Sequence, residues 1–156
     1  MIDNYIIKNM IGSGTFGDIF LGYDKINKCD VAIKKIVLID FKESTINMIL
    51  TEIKIGYYNN CEYLVKIKDF FVYDHAVYLI MNYYNQSDLR KLKKDKLVNK
   101  NNRNQIVYNI LRGIQYLHVN KIIHRDIKLA NIMVKNNIAY VGDFGTCRIL
   151  PENKYF

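Results

Sequence analysis

The chain has 156 residues, half of them apolar and 24% of them charged, a composition typical of a globular protein and unlike that of a disordered one. Its formal charge of +8 would suit an anionic partner, but no recognition motif accompanies the lysines, so we expect a solvated basic surface and no nucleic-acid partner. Three scattered cysteines, no secretion signal and no long apolar run argue against a disulfide framework and a membrane partner, and predict a cytoplasmic or nuclear protein.

Three strands and one helix are predicted in the first part of the chain. β-Branched and aromatic residues between turn residues predict strands at Tyr5–Ile11, Asp18–Asp24 and Cys29–Leu38. From about Glu43 to Tyr58 the apolar residues recur with a helical period. The predicted apolar stripe of this helix consists of Ile46, Ile49, Leu50, Ile53 and Tyr57.

Two further strands and a basic stretch follow. The strands are predicted at Val65–Tyr73 and Val77–Tyr83, with Asp74-His75 as the turn between them. The basic stretch from Lys91 to Lys100 is interrupted by Asp95 and by three apolar residues. This pattern predicts an amphipathic surface helix with its loop.

The last third of the chain predicts a long helix and then short strands. The helix covers roughly Asn102 to Val119, and its apolar face consists of Ile106, Ile110, Ile114 and Leu117. The short apolar strands are Ile122–Ile123, Ile132–Val134 and Ile138–Val141. The fold class is therefore α+β, and we expect a site at the seam between the sheet and the helical layer.

A glycine-rich segment, Gly12-Ser13-Gly14-Thr15-Phe16-Gly17, separates the first two predicted strands. Glycines at this spacing allow backbone amides to approach a phosphate chain without clashes from Cβ atoms. A dinucleotide-binding turn has the same spacing but requires a helix directly afterwards, whereas Ile19-Phe20-Leu21-Gly22-Tyr23 has strand character. The segment predicts a phosphate-covering loop between antiparallel strands, and a glycine-rich hairpin without a ligand is the alternative.

A lysine and a glutamate form a second candidate feature. Val31-Ala32-Ile33-Lys34 predicts a strand ending in a lysine, which is costly to bury unless it is paired. Glu52 on the predicted helix is the candidate partner, since it is one of only four glutamates. An exposed lysine beside an exposed glutamate would be the simpler interpretation if these two residues stood alone.

Two polar segments complete the set. In His124-Arg125-Asp126-Ile127-Lys128-Leu129-Ala130-Asn131, the side chains of Asp126 and Asn131 can present oxygens to a hydroxyl proton and to Mg²⁺. Asp143-Phe144-Gly145 begins 12 residues after Asn131 and adds a second hard oxygen ligand, which suits Mg²⁺ bound to nucleotide phosphates. Any one of the four features could arise by chance, but all four in this order are not plausibly accidental.

These segments resemble the signature set of the eukaryotic protein kinases over nearly the whole chain, from about Tyr5 to its end. The resemblance implies a kinase-like bilobal fold, with 1–82 as the small lobe and 83–156 as the hinge and the first part of the helical large lobe. It implies a Ser/Thr kinase that uses ATP and Mg²⁺ to phosphorylate a hydroxyl of a protein substrate, since Lys128 lies two places after Asp126. By the same resemblance the catalytic residues are Asp126 as the base, Lys128, Lys34 and Glu52, and the metal ligands are Asn131 and Asp143.

The resemblance also implies which residues contact ATP. Met81 falls at the gatekeeper position, Asn82, Tyr83 and Tyr84 form the hinge, and Asp88 lies where an acidic residue commonly contacts the ribose. The full implied set is Ile11, Gly12, Gly14, Gly17, Ile19, Ala32, Lys34, Met81, Asn82, Tyr84, Asp88 and Met133. For Ile19, Ala32 and Met133, packing in the core is the alternative, and it is compatible with ligand contact.

Three positions depart from the family pattern. Asn82 replaces a usual hinge glutamate, and Gly56 replaces a bulky apolar residue, which predicts a loosely held helix unless Tyr57 fills the gap. Only 11 residues follow Gly145, so we expect a truncated domain, with a partner chain that covers the incomplete large lobe as one explanation. The alternative function is a catalytically inactive nucleotide-binding or scaffolding kinase remnant.

Overall fold

The computed structural model describes residues 2–14, 17–38, 42–85 and 88–151. The chain forms two compact units, the first comprising Met1–Ile46 and Lys66–Tyr83 and the second Asn47–Val65 and Tyr84–Phe156. Thr15 and Phe16 of the predicted phosphate-covering loop lie outside the described residues. The predicted α+β class is confirmed, and the predicted lobe boundary at residue 82 stays a prediction.

The first unit is a five-stranded antiparallel sheet with the strand order β1-β2-β3-β5-β4. A short 3₁₀ turn, Ile2–Asn4, precedes it. The strands are β1 (Tyr5–Gly14), β2 (Gly17–Asp24), β3 (Cys29–Val37), β4 (Ile67–Tyr73) and β5 (Ala76–Asn82). All five predicted strands are present, but β1 extends three residues further than predicted, because the glycine-rich segment itself pairs with β2.

Two turns of this sheet have clear local causes. Asp74 and His75 both adopt left-handed backbone angles, with φ of 43° and 55°, as a two-residue hairpin requires. After β2, the buried carboxylate of Asp24 accepts hydrogen bonds from the backbone amides of Ile26 and Asn27 and from the Asn27 side chain. Asp24 thus closes the turn between β2 and β3 with its own side chain.

An aromatic stack forms the centre of the core on one face of this sheet. The rings of Tyr5 and Phe71 stack at 5.9 Å, and those of Phe71 and Tyr78 stack at 5.3 Å. Val31 and Ile33 of β3 are completely or almost completely buried in the same cluster. Because side chains alternate along a strand, Ala32 and Lys34 point to the opposite face of the sheet.

The second unit contains most of α1 (Glu43–Tyr58), then α2 (Leu89–Lys94) and α3 (Lys100–Val119). Two small antiparallel sheets accompany the helices. The first pairs β6 (Ile122–Ile123) with β9 (Arg148–Ile149), and the second pairs β7 (Ile132–Lys135) with β8 (Ile138–Val141). Within the described ranges, no helix has both the length and the apolar content that crossing a membrane requires.

The predicted bounds of α1 are confirmed, but Ile49 alone of the five residues in its predicted apolar stripe is buried. The side chains of Ile46 and Leu50 are 45% and 56% exposed, although both belong to the predicted stripe. The buried residues of α1 are Ile49, Glu52, Ile55 and Gly56. The buried face therefore differs from the apolar stripe. It includes a glutamate and a glycine, which a pattern based on apolar residues does not detect.

The same error occurs in α3. Ile106 and Leu117 are buried as predicted, but Ile110 and Ile114 are only half-buried. The centre of the buried face is instead formed by Asn109 and Gly113. A Cβ atom at residue 113 would lie 3.0 Å from the carbonyl oxygen of Tyr63 and 3.2 Å from Val141, so glycine permits a close approach of α3 to these segments.

Candidate functional site

The glycine-rich segment is the closed end of the β1–β2 hairpin. Gly12 pairs with Ile19, and Gly14 pairs with Gly17. Gly17 has a φ of 147°, and a Cβ atom there would overlap the carbonyl oxygen of Lys35, so no other residue fits. Since strand β2 follows the glycines directly, the dinucleotide-binding alternative, which needs a helix, is excluded.

Strand register brings four of the implied ATP-binding residues to one face of the five-stranded sheet. Lys34 lies opposite Ile19 of β2, and Ala32 lies opposite Met81 of β5. Directly opposed residues of antiparallel strands share a face, and so do residues two apart on one strand. These four side chains therefore lie together on the face opposite the aromatic stack.

Lys34 and Glu52 are both buried, with 6% and 4% of their surfaces exposed. The alternative of an exposed lysine beside an exposed glutamate is therefore wrong. Burial of a charge is costly unless it is paired, which is consistent with a partner for each residue. The predicted pairing of the two residues with each other stays a prediction, since they belong to different compact units.

Two carbonyl oxygens in the last turn of α1 accept hydrogen bonds from Asn59, a residue that the sequence did not mark. The Asn59 side-chain amide donates hydrogen bonds to the carbonyl oxygens of Ile55 and Gly56, at 3.0 and 2.9 Å. Tyr57 does not fill the position beside Gly56, because it is 36% exposed and contacts the ring of Tyr58 edge-on. Asn59 thus caps the end of the helix in which Gly56 lies.

Three of the predicted catalytic and metal-binding side chains form one hydrogen-bonded cluster. The Asp126 carboxylate Oδ2 accepts hydrogen bonds from Lys128 Nζ at 2.7 Å and from Asn131 Nδ2 at 3.0 Å. Asn131 Nδ2 also donates to the backbone carbonyl of Asp126, at 2.9 Å. The Lys128 ammonium lowers the pKa of Asp126, with Asn131 acting in the same direction, so Asp126 is ionised at neutral pH.

His124 connects this cluster to the segment that precedes Asp143. The Asp126 amide donates to His124 Nδ1 at 3.3 Å, and Nε2 lies 2.9 Å from the Gly142 carbonyl oxygen. An Nδ1 that accepts a hydrogen bond has no proton, so Nε2 is the protonated nitrogen and donates to Gly142. Burial lowers the pKa of His124, although the bond to Gly142 opposes this, and the ring is therefore neutral.

The β7–β8 hairpin places Asn131 beside the predicted second metal ligand. Ile132 pairs with Val141, so Asn131, directly before β7, lies next to Gly142, directly after β8. The Gly142 amide donates to the Asn131 carbonyl at 2.9 Å. Asp143 follows with a left-handed backbone, φ 62° and ψ 74°, which turns the chain sharply after the strand.

The oxygens at this point suit a hard cation that also binds phosphates. The Asn131 side-chain nitrogen is hydrogen-bonded to Asp126, which leaves the amide oxygen as the atom that can bind a metal. The Asp143 carboxylate is the other candidate ligand. No group of three or more His, Cys, Asp or Glu suited to a metal occurs in the described part of the chain, so phosphates and water would have to complete a Mg²⁺ shell.

The segment after Asp143 is hydrogen-bonded to the loop that precedes Asp126. Arg125 Nε donates to the Thr146 carbonyl at 2.6 Å, and the Thr146 hydroxyl donates to the His124 carbonyl at 3.2 Å. Next to this, burial raises the pKa of the Cys147 thiol to about 12, so it stays protonated. Thr146 could not be identified from the sequence, because its partners are backbone atoms that no side-chain motif marks.

The implied hinge residues differ in their surroundings. Asn82, the last residue of β5, is exposed, whereas Tyr84 is buried with its ring 4.5 Å from that of Tyr140. Asp88 caps α2, since its carboxylate accepts the Lys91 amide at 3.0 Å, and it also lies 3.7 Å from Arg90. Asp88 therefore has a structural role, and its implied contact with a ribose stays a prediction.

The known sequences that this chain resembles are protein kinases. The sequence pattern described as "Protein kinase domain" matches residues 5–155. Over 154 residues the chain is 33% identical to "Probable serine/threonine-protein kinase mkcC" of Dictyostelium discoideum, an alignment that covers 96% of this chain and 17% of that protein. It is 31% identical to serine/threonine-protein kinase Nek5 of Mus musculus, with 97% and 24% covered, and 31% identical to cyclin-dependent kinase C-3 of Oryza sativa, with 94% and 49% covered. The chain thus spans less than half the length of each of these relatives.

Proposed function

Since the chain belongs to the protein kinase domain family, we propose that it is the nucleotide-binding and catalytic-loop part of a protein Ser/Thr kinase. In this proposal it transfers the γ-phosphate of ATP to Ser or Thr hydroxyls of a protein substrate. Members of the family use ATP together with Mg²⁺. The observation that supports the proposal most strongly is the hydrogen-bonded cluster of Asp126, Lys128 and Asn131, with Asp143 following the residue that pairs with Asn131.

Asp126 is the proposed base. Its carboxylate is ionised and has room for more hydrogen bonds than the two that Lys128 and Asn131 donate to Oδ2. It can therefore accept a hydrogen bond from the substrate hydroxyl and orient that oxygen toward the γ-phosphorus. It would take the proton as the new O–P bond forms and the bond from the γ-phosphorus to the bridging oxygen breaks, with ADP as the leaving group. A positioned base of this kind contributes roughly 10²–10⁴-fold to the rate.

Asn131 and Asp143 are the proposed ligands of Mg²⁺, through the amide oxygen and the carboxylate. When bound, Mg²⁺ would neutralise charge on the nucleotide phosphates. Lys128 is about half-exposed, 54% at its side chain, so its ammonium can contact a phosphate while its stem stays beside Asp126. Lys34 is a further proposed phosphate contact, on the sheet face that also contains Ile19, Ala32 and Met81.

A phosphotransfer assay tests the proposal. The chain is incubated with radiolabelled ATP, Mg²⁺ and generic acidic and basic protein substrates, and label in the substrate is measured. Asp126→Asn preserves the size of the side chain and its acceptor for Asn131 but removes the base. The matched control is Asp74→Asn, because Asp74 lies in an exposed turn with a left-handed backbone that Asn also adopts.

We expect transfer by the wild type and by Asp74→Asn, and a loss of roughly 100-fold or more in Asp126→Asn. Equal rates in Asp126→Asn and the wild type would contradict the assignment of the base. ATP binding without any transfer by the wild type would contradict the proposed activity and favour the alternative of an inactive nucleotide-binding or scaffolding kinase remnant.

A further inference from the structure

The positive charge of this protein is concentrated in one short segment. Residues 88–103 contain seven basic and two acidic side chains, whereas the other 140 residues contain 16 basic and 13 acidic ones. Most of the formal charge of +8 therefore comes from about a tenth of the chain. The background abundance of lysine does not produce such a difference between segments, and a local explanation is needed.

Five of the seven basic side chains of this segment lie on α2 or directly after it, and all five are exposed. In α2, Leu89 and Leu92 are buried, and the helix packs against β7 and against the 3₁₀ turn Leu129–Asn131. The residues between and after these leucines point outward. We define the basic ridge as the exposed residues Arg90, Lys91, Lys93, Lys94 and Lys96.

The protein itself does little to neutralise the ridge. Arg90 lies 3.7 Å from the Asp88 carboxylate, which is also used as the cap of α2. For the four lysines, no ion pair with a carboxylate is present in the part of the chain that the structure describes. Their charges are therefore available to a partner.

The dipole of α2 does not account for the whole ridge. Lys91, Lys93 and Lys94 lie in the last turn of the helix, where positive charge is favourable. Arg90, however, is the second residue of the helix, where the dipole disfavours a cation, and Lys96 lies beyond the helix end. The ridge thus contains more charge than the stability of the helix requires.

The loop after α2 is held in a defined conformation and adds an apolar contact. The Asn102 side chain donates to the Leu97 carbonyl at 2.9 Å and accepts the Asn99 amide at 2.9 Å. Lys96 has a left-handed backbone, and the Leu97 side chain is 58% exposed directly after it. A partner that meets the ridge would find one exposed apolar side chain, Leu97, on an ordered loop next to the charges.

We propose that the basic ridge binds an acidic polypeptide segment of the protein substrate. This inference rests on the proposed kinase function and deepens it, because α2 packs directly against the 3₁₀ turn that contains Asn131. Residues 88–103 include no aromatic side chain, and binding of single-stranded nucleic acid normally uses aromatic stacking. Carboxylates with an apolar residue match the lysines and Leu97 better than stacked bases do.

A binding measurement tests the proposal without using catalysis. Fluorescence anisotropy of a labelled peptide of alternating glutamate and serine is recorded with the full chain at low and at physiological salt. Single-stranded RNA of the same net charge is the competing ligand. Lys93→Glu/Lys94→Glu reverses two ridge charges, and Lys25→Glu/Lys54→Glu makes the same change of net charge at exposed lysines elsewhere. Lys93→Gln/Lys94→Gln removes the charge without adding anions to the helix end.

We expect the wild type to bind the peptide, with an affinity that falls as salt is raised. The Glu variant of the ridge should raise the Kd roughly tenfold or more, the Gln variant by less, and the control variant by less than about twofold. Equal weakening in the ridge and control variants, or tighter binding of RNA than of the peptide, would overturn the proposal. Peptide binding that is unchanged in both ridge variants would also overturn the proposal, but it would not bear on the proposed kinase function. Wild-type protein that binds the peptide but shows no phosphotransfer would contradict only the proposed kinase function.

Discussion

Gly142, the residue directly before Asp143, is a position where we expect any side chain to destabilise the fold. A Cβ atom there would lie 2.7 Å from Val65 Cγ2 and 3.3 Å from Val65 Cβ. Val65 cannot simply move aside, because its amide donates to the Val141 carbonyl at 2.8 Å. Overpacking of this kind costs about 1–3 kcal/mol, so we expect Gly142→Ala to lower the free energy of unfolding by that amount.

The displacement should also affect ligand binding, because a shift of residue 142 moves Asp143 and stretches the hydrogen bond from Gly142 to Asn131. Unfolding by urea or heat measures the stability of Gly142→Ala, and a loss of about 1–3 kcal/mol corresponds to a fall in Tm of roughly 2–12 °C for a chain of this length. Gly12→Ala is the matched control, since its Cβ would lie an ordinary 3.8 Å from Ile19.

A double variant decides whether the clash with Val65 is the cause. Val65→Ala removes the atom that the new Cβ would meet, at the cost of a small cavity. If the clash with Val65 is the cause, Gly142→Ala should lower the free energy of unfolding by at least about 1 kcal/mol less in the Val65→Ala background than in the wild type. Additive effects of the two substitutions, or equal stability losses for Gly142→Ala and Gly12→Ala, would refute the reasoning.

Three further predictions concern other parts of the chain. Asp24→Ala removes the acceptor of three hydrogen bonds and should lower the free energy of unfolding by about 1–3 kcal/mol at pH 7. Burial raises the pKa of Asp24, but the hydrogen bonds from Asn27 and Ile26 lower it overall, so the stability difference should shrink in urea titrations as pH falls below the ordinary pKa of 3.8. A difference that does not change with pH would count against this role. Gly56→Leu should raise the stability by about 1 kcal/mol or more if a gap loosens α1, and unchanged stability and nucleotide affinity would contradict that gap. Thr146→Val should increase hydrogen exchange of the Cys147 and Leu150 amides up to about tenfold, with Thr146→Ser restoring protection; equal exchange in all three proteins would remove the proposed role of the hydroxyl.

The sequence predicted those parts of the fold that depend on local signals. The bounds of α1, the Asp74-His75 turn and strands β6 and β8 agree with the structure, because apolar period and turn residues act within a few positions. The rotation of the helices could not be predicted in the same way. In α3 the most deeply buried positions include Asn109, whose side-chain oxygen accepts the Ala139 amide at 3.2 Å, and this pairing depends on a segment 30 residues away.

The sequence identified the main side chains of the candidate site but not the hydrogen bonds that join them. Asp126, Asn131 and Asp143 are marked by their spacing, but the hydrogen bonds that bring them together involve the backbone of Gly142 and the ring of His124. Backbone partners leave no trace in residue type. The register of the β7–β8 hairpin, which places Asn131 beside Gly142, becomes visible only when the two strands are paired.

The proposed function depends on Asn131 and Asp143 presenting oxygen ligands to a cation bound to the phosphates of ATP. The most direct test is the Kd of ATP with Mg²⁺ and with a chelator, measured for the wild type and for Asp143→Asn. We predict that Mg²⁺ tightens ATP binding by the wild type roughly tenfold or more, and that most of this gain is lost in Asp143→Asn. An equal gain from Mg²⁺ in both proteins, or no gain in the wild type, would contradict the account.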